Sequence, residues 1–439
     1  MSKFIISGGK PLRGSVRLGG AKNASFKLMI ASLLCDSDSR LLNIPDIGDV
    51  HLTRHLMELL GARVESCGER IFCIEPQSLK THIIPTEHGE GSRASSLFAG
   101  PLLARFGKAE FPLPGGDKIG NRPIDRHLLG LEALGASIKI NNDTVEISCK
   151  QLKGTHYKFA KNSHTGTETL IMAAVKAKGR TVLENAAQEP EIDDLIKFLN
   201  SSGARIKRTK PRVIEIDGVP AMEGSIHKVM PDRNEAVSYA CAALGTKGDI
   251  IIENAKPEHL KAFLEKVRSI GGYYDCADYG IRVWYQNPLK ATNMITSPHP
   301  GFMSDWQPIW TTLMTQAEGA SQVVEAVFPN RFAFVKDLKE MGADIEYFNP
   351  SIKNSDKFYN FNPEDDKPEY FHGIKIQGGK ELHPINTTVK DIRNGATLVI
   401  AALITKGESI IHNVEMVSRG YESFDTRLTR LGASIKRVD

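Results

Sequence analysis

The sequence predicts an α/β protein of two similar halves, built from six repeated units of roughly 70 residues. Three features predict this fold: a recurrent glycine turn, a recurrent helix of small residues, and a strand after each of them. The turns occur in LLGARVE, ALGASIK, SSGARIK, SIGGYYD, EMGADIE and RLGASIK, and their glycines are Gly61, Gly135, Gly203, Gly271, Gly342 and Gly432. Successive glycines lie 74, 68, 68, 71 and 90 residues apart, so one unit recurs along the whole chain.

An amphipathic helix precedes each glycine turn. Its apolar residues recur at spacings of three and four, as in Leu260, Phe263, Leu264 and Val267, which predicts one buried face. The glycine stands where a helix C-cap favours positive φ, and the alternating residues after it, such as Ile138 in GASIK, predict the start of a strand.

A second helix in each unit is rich in small residues, as in TLIMAAVKAKG, AVSYACAALGTKG and ATLVIAALITKG. Small side chains allow close packing on several sides, so these helices are expected at the centre of the fold. Strands such as TVLENA, DIIIENA and SIIHNV follow them. The order within a unit is therefore strand, helix, strand, helix, strand, strand.

The long last spacing reflects an insertion, Phe348 to Tyr370, whose Asn, Asp, Lys and Pro content predicts an exposed loop. The six cysteines form no C-x-x-C pair and have no histidine at metal-ligand spacing, so we expect reduced core thiols.

Composition excludes several classes of protein. The 439 residues include 56 basic and 52 acidic ones, a formal charge of +4 with interspersed signs, which gives no strong electrostatic footprint for nucleic acid or membrane. The longest apolar run, near Ala396 to Ile404, is far below the roughly 20 residues of a bilayer span. The first residues lack the apolar core of a signal peptide, so a cytoplasmic location is expected.

Basic residues recur beside glycine or small residues at the turns that flank these helices. An arginine there can fork onto a phosphate or carboxylate while backbone N–H groups add donors, which favours a polyanionic ligand. Solvated helix-end charges remain the alternative for each one. The six residues are Lys22, Arg93, Arg122, Arg331, Arg393 and Arg419.

Candidate proton-transfer groups are acidic. The loop PGGDKIG differs from its counterparts ENAAQEP and SRGYE in the other units, which distinguishes Asp117, although a turn aspartate that bonds its own backbone is the alternative. No metal site is predicted, because neither His127 nor His299 has a partner at ligand spacing. Phosphate-loop and dinucleotide motifs are absent from the sequence. The acidic candidates are Asp117, Asp305, Asp232, Glu235 and Asp49.

The chain resembles the UDP-N-acetylglucosamine 1-carboxyvinyltransferases, a family of enolpyruvyl transferases. The resemblance runs along the chain apart from the insertion, and is carried by GGAKNAS, RASSLFAGPLLARFG, PGGDKIGNRPID, ENAAQEPEI, PDRNEA, HPGFMSD, FPNRF, DIRNGA and RGYE. It implies two inside-out α/β barrel domains with three units each, which close around substrates between them. One domain would comprise residues 22–229, and the other 1–21 and 230–439.

The resemblance also implies the reaction. The enolpyruvyl group of phosphoenolpyruvate would pass to the 3-hydroxyl of UDP-N-acetylglucosamine with release of phosphate, the first committed step of peptidoglycan precursor synthesis. Cationic side chains would stabilise the charge, so neither a metal nor a cofactor is expected. The expected partners are these two substrates, with no nucleic acid and no membrane.

The resemblance assigns roles to individual residues. Asp117 matches the general acid, Asp305 the carboxylate that accepts the hydroxyl proton, and Asn23 the residue beside the acceptor sugar. The donor-binding positions are Lys22, Arg122, Arg393 and Arg419, and the associated basic positions are Arg93 and Arg331. The remaining expected substrate contacts are His164, Gly166 and Val327.

Three departures from the family pattern bear on function. Asp117 stands where many members have the cysteine that fosfomycin alkylates, which predicts activity with fosfomycin insensitivity because a carboxyl group delivers a proton but forms no thioether. The segment 162–166 reads Asn-Ser-His-Thr-Gly where the family usually has Lys-x-Ser-x-Gly, and Gly48 lies near a position that is often lysine. Both changes remove a cation and leave open a paralogue with another nucleotide or sugar acceptor.

Two further alternatives remain at this point. A 5-enolpyruvylshikimate-3-phosphate synthase has a Lys-Ser motif where this chain reads GGAKNAS, and a Gly-Asn-Ala-Gly-Thr stretch that this chain lacks. From another class, a sixfold repeat could build a ring that clamps duplex DNA. Salt-sensitive DNA binding without phosphate release would indicate the clamp.

Overall fold

A computed structural model of the chain describes residues 1–89, 93–113, 123–141 and 143–439. The described residues form two compact units. We call residues 1–19 and 231–439 the C-terminal unit, and residues 20–113 and 123–230 the N-terminal unit. No helix in these ranges is both long and apolar enough to span a bilayer.

Three four-stranded sheets form the C-terminal unit, and they share one topology. In each sheet an edge strand runs parallel to its neighbour, and all other neighbours are antiparallel. The strand orders are Arg13–Arg17, Asp249–Glu253, Gly280–Trp284, Tyr273–Ala277; Met294–Ile295, Ala320–Val324, Gly373–Gln377, Asp344–Phe348; and Asn386–Thr388, Gly407–His412, Lys3–Gly8, Ser434–Val438.

Three buried helices pack against one another inside this unit: Arg233–Gly245, Gln307–Met314 and Ile392–Ile404. Small side chains allow this close packing. In the first helix the four consecutive residues Ala240, Cys241, Ala242 and Ala243 are all buried, so the helix is covered on every side. The outer amphipathic helices are Lys261–Ser269, Val335–Glu340 and Phe424–Arg430, and the short helical segments are Pro257–His259, Ser355–Phe358, Pro363–Asp365 and Glu415–Ser418.

The N-terminal unit repeats this plan. Its strand orders are Ile226–Lys228, Ser39–Leu42, Ile71–Glu75, Arg63–Gly68; His156–Lys158, Arg180–Glu184, Val213–Asp217, Arg205–Lys210; and Lys108–Pro112, Thr144–Ser148, Ser137–Asn141. The third of these sheets has three strands instead of four, and at the position of the parallel edge strand Ile83 and Glu110 form a single parallel bridge. The inner helices are Lys22–Ser32, Arg93–Phe98, Ala99–Phe106 and His164–Ala174. The outer helices are Gly48–Leu60, Asp125–Ala133 and Pro190–Ser201, and there is one short helix, Thr86–Gly89.

The predicted α/β fold of six repeated units is confirmed. All six turn glycines have positive φ, between 79° and 102°, a backbone conformation that a residue with a Cβ adopts only with strain. The small-residue helices are central, as predicted. In the described part of the chain the strands form six separate sheets rather than one closed barrel.

One local prediction was wrong. Cys67 and Cys73 form a disulfide across the hairpin of Arg63–Gly68 and Ile71–Glu75, and Cys276 is exposed rather than part of the core. Only strand pairing brings Cys67 beside Cys73, so their sequence separation did not reveal it. The insertion is mostly exposed, as predicted, but it also contains two short helical segments and buries Phe361 and Asp365.

Candidate active site

A cluster of charged side chains lies at the N-terminal ends of two buried helices in the C-terminal unit. Arg393 belongs to the first turn of Ile392–Ile404, and Asp305 precedes Gln307–Met314. The Asp305 carboxylate lies 2.9 Å from Nη2 of Arg393 and 3.4 Å from Nη2 of Arg331. The side chains of Arg393 and Arg331 are only 8% and 4% exposed, against 26% for Asp305. The structure therefore brings three predicted site residues together.

The surrounding residues hold Arg393 in place. Oδ1 of Asp391 accepts hydrogen bonds from the backbone N–H groups of Arg393 and Asn394, which caps the helix. Nη1 of Arg393 donates to the hydroxyl of Tyr421 at 3.1 Å, and that hydroxyl lies 2.9 Å from Oγ of Ser238. Burial is the largest influence on the pKa of Arg393 and lowers it, but Asp305, Tyr421 and Asp232 together raise it more, so the net shift is upward and the guanidinium stays charged.

Arg393 and Arg331 also line a pocket within the C-terminal unit. Its other lining residues are Pro308, Asn330, Ala333, Phe334, Asp391 and Asn394. Two guanidinium groups that are fixed by burial can bind a phosphate or carboxylate with little further loss of side-chain entropy. The pocket therefore has two buried guanidinium groups in its lining.

The predicted contact Val327 lies in a loop that a buried carboxylate organises. Oε1 of Glu325 accepts the N–H groups of Val327 and Phe328 at 2.8 and 3.1 Å, and Oε2 accepts the hydroxyl of Ser304 at 2.9 Å. Burial raises the pKa of Glu325, while these donors partly offset the shift. Because Ser304 precedes Asp305, Glu325 links the Val327 loop to the charge cluster.

The structure gives other residues of this unit different roles. Asp232 caps the helix Arg233–Gly245, and Glu235 pairs with Arg427 at 2.9 Å. Burial raises the pKa of Glu235 to about 7, and its Oε2 accepts the N–H of Gly19. Asp232 also helps to raise the pKa of Arg393. Half-buried Arg419 follows the helix Glu415–Ser418.

Sequence reasoning missed two side chains of the C-terminal unit. Tyr421 bonds Arg393, and Arg233 lies 3.2 Å from Nδ1 of His299 and stacks over Trp306. The motifs RGYE and PDRNEA contain both residues, so the available signal was their place inside motifs already selected for other residues.

In the N-terminal unit, Lys22 begins the helix Lys22–Ser32 and pairs with Asp49 at 2.8 Å. Both side chains are largely buried, at 14% and 10% exposure. Asn23 is half-buried on the next position. Lys22 therefore meets one of the acidic candidates rather than bulk solvent.

A second charged cluster in this unit surrounds His164. Nζ of Lys27 lies 2.7 Å from Oε1 of Glu168 and 3.2 Å from Nε2 of His164, and the histidine lies 3.0 Å from the same oxygen. Burial, the largest influence, and Lys27 lower the pKa of His164, but Glu168 and Glu189 together raise it more, so the net shift is upward and favours the imidazolium. Sequence reasoning missed Lys27 and Glu168, which lie 137 and four residues from His164.

The start of the helix His164–Ala174 explains Gly166. Its N–H donates to Oγ of the N-cap Ser163 at 3.1 Å, and a Cβ on Gly166 would lie 2.8 Å from that oxygen. The N-terminal end of a helix carries a partial positive charge that favours a nearby anion. His164 adds a cation at the same helix end.

Three predicted residues receive no structural description of their side chains. Asp117 and Arg122 lie outside the described residues, while the backbone of Arg93 begins the helix Arg93–Phe98. Within the described ranges, no group of three or more His, Cys, Asp and Glu side chains is arranged to hold a metal ion.

Comparison with known proteins identifies the family of the chain. The family model of EPSP synthase (3-phosphoshikimate 1-carboxyvinyltransferase) matches residues 6–428. A UDP-N-acetylglucosamine 1-carboxyvinyltransferase from Halothermothrix orenii is 40% identical over 438 residues, which cover 100% of both chains. One from Sorangium cellulosum is 39% identical over 445 residues, covering 100% of this chain and 99% of the relative.

Solved structures show the same fold. The enolpyruvyl transferase NikO from Streptomyces tendae has a TM-score of 0.84 at 20% identity, covering 100% of this chain and 99% of its own. An EPSP synthase from Acinetobacter baumannii has a TM-score of 0.73 at 19% identity, with 100% of both chains covered. From its repeats, its motifs and these full-length matches, the chain belongs to the family of the 1-carboxyvinyltransferases, as its sequence motifs predicted.

Proposed function

We propose that this protein transfers the enolpyruvyl group of phosphoenolpyruvate to the 3-hydroxyl of UDP-N-acetylglucosamine and releases phosphate. This would be the first committed step of peptidoglycan precursor synthesis, so its loss would affect cell shape and division. The observation that carries the proposal is the Asp305 carboxylate held between Arg331 and Arg393, two buried arginines that also line a pocket. The names of the full-length relatives support the same acceptor and reaction.

The reaction requires one proton acceptor and one proton donor. The acceptor oxygen bonds to C2 of phosphoenolpyruvate while C3 gains a proton. The C2–O bond to phosphate then breaks, and C3 returns a proton to one of the two carboxylates as the C2=C3 double bond forms again. In the proposal, Asp305 accepts the hydroxyl proton and Asp117 protonates C3. Exposure of Asp305, greater than that of either arginine, leaves its carboxylate accessible to a substrate hydroxyl.

The cations stabilise the donor and the charge that develops on phosphate. Arg393 has the best-supported place in this group, because Asp391, Tyr421 and Asp305 fix its position. The other proposed donor ligands are Lys22, Arg122 and Arg419.

The acceptor requires separate contacts. Asn23 and Val327 are proposed to bind it, while Arg93 and Arg331 are the basic positions associated with donor binding. His164, at the start of the helix that Gly166 helps to cap, would bind the diphosphate. The Lys27–Glu168–His164 cluster carries a net positive charge when the histidine is protonated, which supplies the cation that the segment 162–166 lacks.

The proposal extends to location and domain function. Cytoplasmic activity is expected, because phosphoenolpyruvate and nucleotide sugars are cytoplasmic metabolites. Residues 22–229, and residues 1–21 with 230–439, are proposed as the two enolpyruvyl transferase domains, the second of which contains the insertion. No metal, cofactor, nucleic acid or membrane has a part in this reaction.

The test is phosphate release from phosphoenolpyruvate by the full chain with one acceptor at a time. UDP-N-acetylglucosamine, UMP and shikimate 3-phosphate are compared at equal concentration, and the product is identified by mass. We expect release with UDP-N-acetylglucosamine and an acceptor mass increase that matches one enolpyruvyl group.

Each other outcome identifies an alternative. Release only with UMP or shikimate 3-phosphate would replace the proposed acceptor while retaining the chemistry. Phosphate release with none of the three would refute the proposal, and salt-sensitive DNA binding in that case would favour the clamp.

A further inference from the structure

The connection between the paired strands Asp344–Phe348 and Gly373–Gln377 is far longer than an antiparallel hairpin requires. Phe348 pairs with Gly373, so residues 349–372 connect the two strands. In three equivalent hairpins the strands are joined by two residues, since Gly68 pairs with Ile71, Lys210 with Val213 and Ala277 with Gly280. The repeat itself therefore does not account for the segment 349–372.

This segment has its own small core. The ring of Phe361 lies 4.8 Å from that of Tyr359 and 5.2 Å from that of His372. Phe361 is only 7% exposed, and Nε2 of His372 lies 3.0 Å from Asp366. At the base, Oδ1 of Asn349 accepts the N–H of His372 at 2.9 Å. These contacts hold the residues of the segment together.

The ordered segment is bonded to the loop that carries Val327. The N–H of Asn360 donates to the carbonyl of Ala326 at 2.7 Å, and the N–H of Glu325 donates to the carbonyl of His372 at 2.9 Å. Ala326 precedes Val327, and Glu325 is the residue whose carboxylate accepts the Val327 N–H. The bond of Glu325 to His372 has counterparts in the hairpins with two-residue turns, where Ala186 bonds Arg212 and Asn254 bonds Tyr279, so of the two bonds the one from Asn360 is specific to this segment. Glu325 then reaches Val327, Phe328 and Ser304 through its carboxylate.

We propose that the segment 349–372 is a positioning element for acceptor binding. It fixes the loop 325–331, and through Glu325 and Ser304 it also fixes the base of Asp305. This inference rests on the proposed function, because that function makes Val327 an acceptor contact and Asp305 the group that accepts the acceptor's proton. Loosening the loop raises the ordering cost of acceptor binding while leaving the buried donor cation Arg393 in place.

The experiment compares three variants of the full chain. The first replaces residues 349–372 by Asn-Gly, a two-residue turn suited to an antiparallel hairpin. The second is Phe361→Ala, which opens the aromatic core. The matched control is Phe371→Ala, in the same segment but 45% exposed.

For the first two variants we expect the KM of UDP-N-acetylglucosamine to rise about tenfold, while the KM of phosphoenolpyruvate changes by less than about twofold. Hydrogen exchange at the Val327 and Phe328 amides is expected to accelerate, and exchange in strand Gly280–Trp284 to stay unchanged. The control should match the unaltered protein in all four measurements.

An unchanged acceptor KM, or an equal rise in both KM values, would overturn the inference. If the unaltered protein releases no phosphate, the proposed function fails instead. Hydrogen exchange then still decides whether the segment holds the Val327 loop, and unchanged exchange would overturn that part.

Discussion

Each of the two compact units contains a cluster in which one carboxylate lies between two basic side chains near the start of a buried helix. The two clusters differ in which of their side chains is most exposed to solvent. In the C-terminal unit the acid Asp305 is the most exposed member, at 26%, while Arg331 and Arg393 are buried. In the N-terminal unit the acid Glu168 is fully buried, and the base His164 is the most exposed member, at 22%.

This difference indicates what each cluster can offer a substrate. An accessible carboxylate fixed by buried guanidinium groups is suited to accept a proton. An accessible imidazolium, held by a buried carboxylate, is suited to bind an anion, and its charge titrates whereas a guanidinium's does not. Catalysis should therefore depend on the first cluster and pH-dependent binding on the second.

The largest expected effect comes from Asp305→Asn. This change keeps the shape of the side chain and removes the proton acceptor, so kcat should fall by about 10²-fold to 10⁴-fold. Steady-state phosphate release measures it. Asp344→Asn is the control, because Asp344 forms only an exposed pair with Lys380. A kcat of Asp305→Asn near that of the control would remove the catalytic role from the C-terminal cluster.

The second effect concerns stability. Glu168→Gln leaves the buried Lys27 without its counter-charge, so the free energy of unfolding should fall by about 3 kcal/mol. Urea unfolding measures this loss. The control is Glu58→Gln, which breaks a surface pair with Arg54 and should cost less than about 1 kcal/mol. Equal losses for the two variants would show that breaking the buried ion pair costs no more stability than breaking the surface pair.

The third effect is a pH dependence carried by His164. Since its pKa is raised, the imidazolium persists above the ordinary value of 6.5 and is lost as pH rises through the folded-state pKa. The KM of the acceptor should therefore rise with pH, by about tenfold across the transition. Lys27, Glu168 and Glu189 are the charged groups that influence this titration.

His164→Gln tests the assignment, because it should abolish that rise while the pH dependence of the donor KM is retained. The same linkage stabilises the folded protein below about pH 6.5, and the contribution is lost as pH rises through the raised pKa. A pH dependence that survives His164→Gln would assign it to another group.

The smallest expected effect is the response to fosfomycin. Asp117 lies outside the described residues and has no thiol, so activity should be unchanged and no adduct should form. Intact-mass measurement after incubation checks this, with Asp117→Cys as the matched variant that should become sensitive. A covalent adduct at Asp117 in the unaltered chain would contradict the prediction.

Much of the candidate site followed from the sequence, because the repeated motifs carry their own local signals. Asp305, Arg331 and Arg393 were selected from motifs, and the structure places them together. Lys27 and Tyr421 were missed, since nothing near them in sequence indicates their partners. The reduced state predicted for Cys67 and Cys73 was wrong because strand pairing sets their proximity.

The sequence by itself determined the sixfold α/β plan, since glycine at a helix end and small or amphipathic helix faces act within a few residues. Only the tertiary structure decided which charges meet: Lys27 with Glu168 and His164, and Arg393 with Tyr421 and Asp305. The physical reason is the sequence distance over which each kind of interaction acts. Backbone preferences are local, whereas the energy of a buried charge depends on partners that chain folding brings from distant positions.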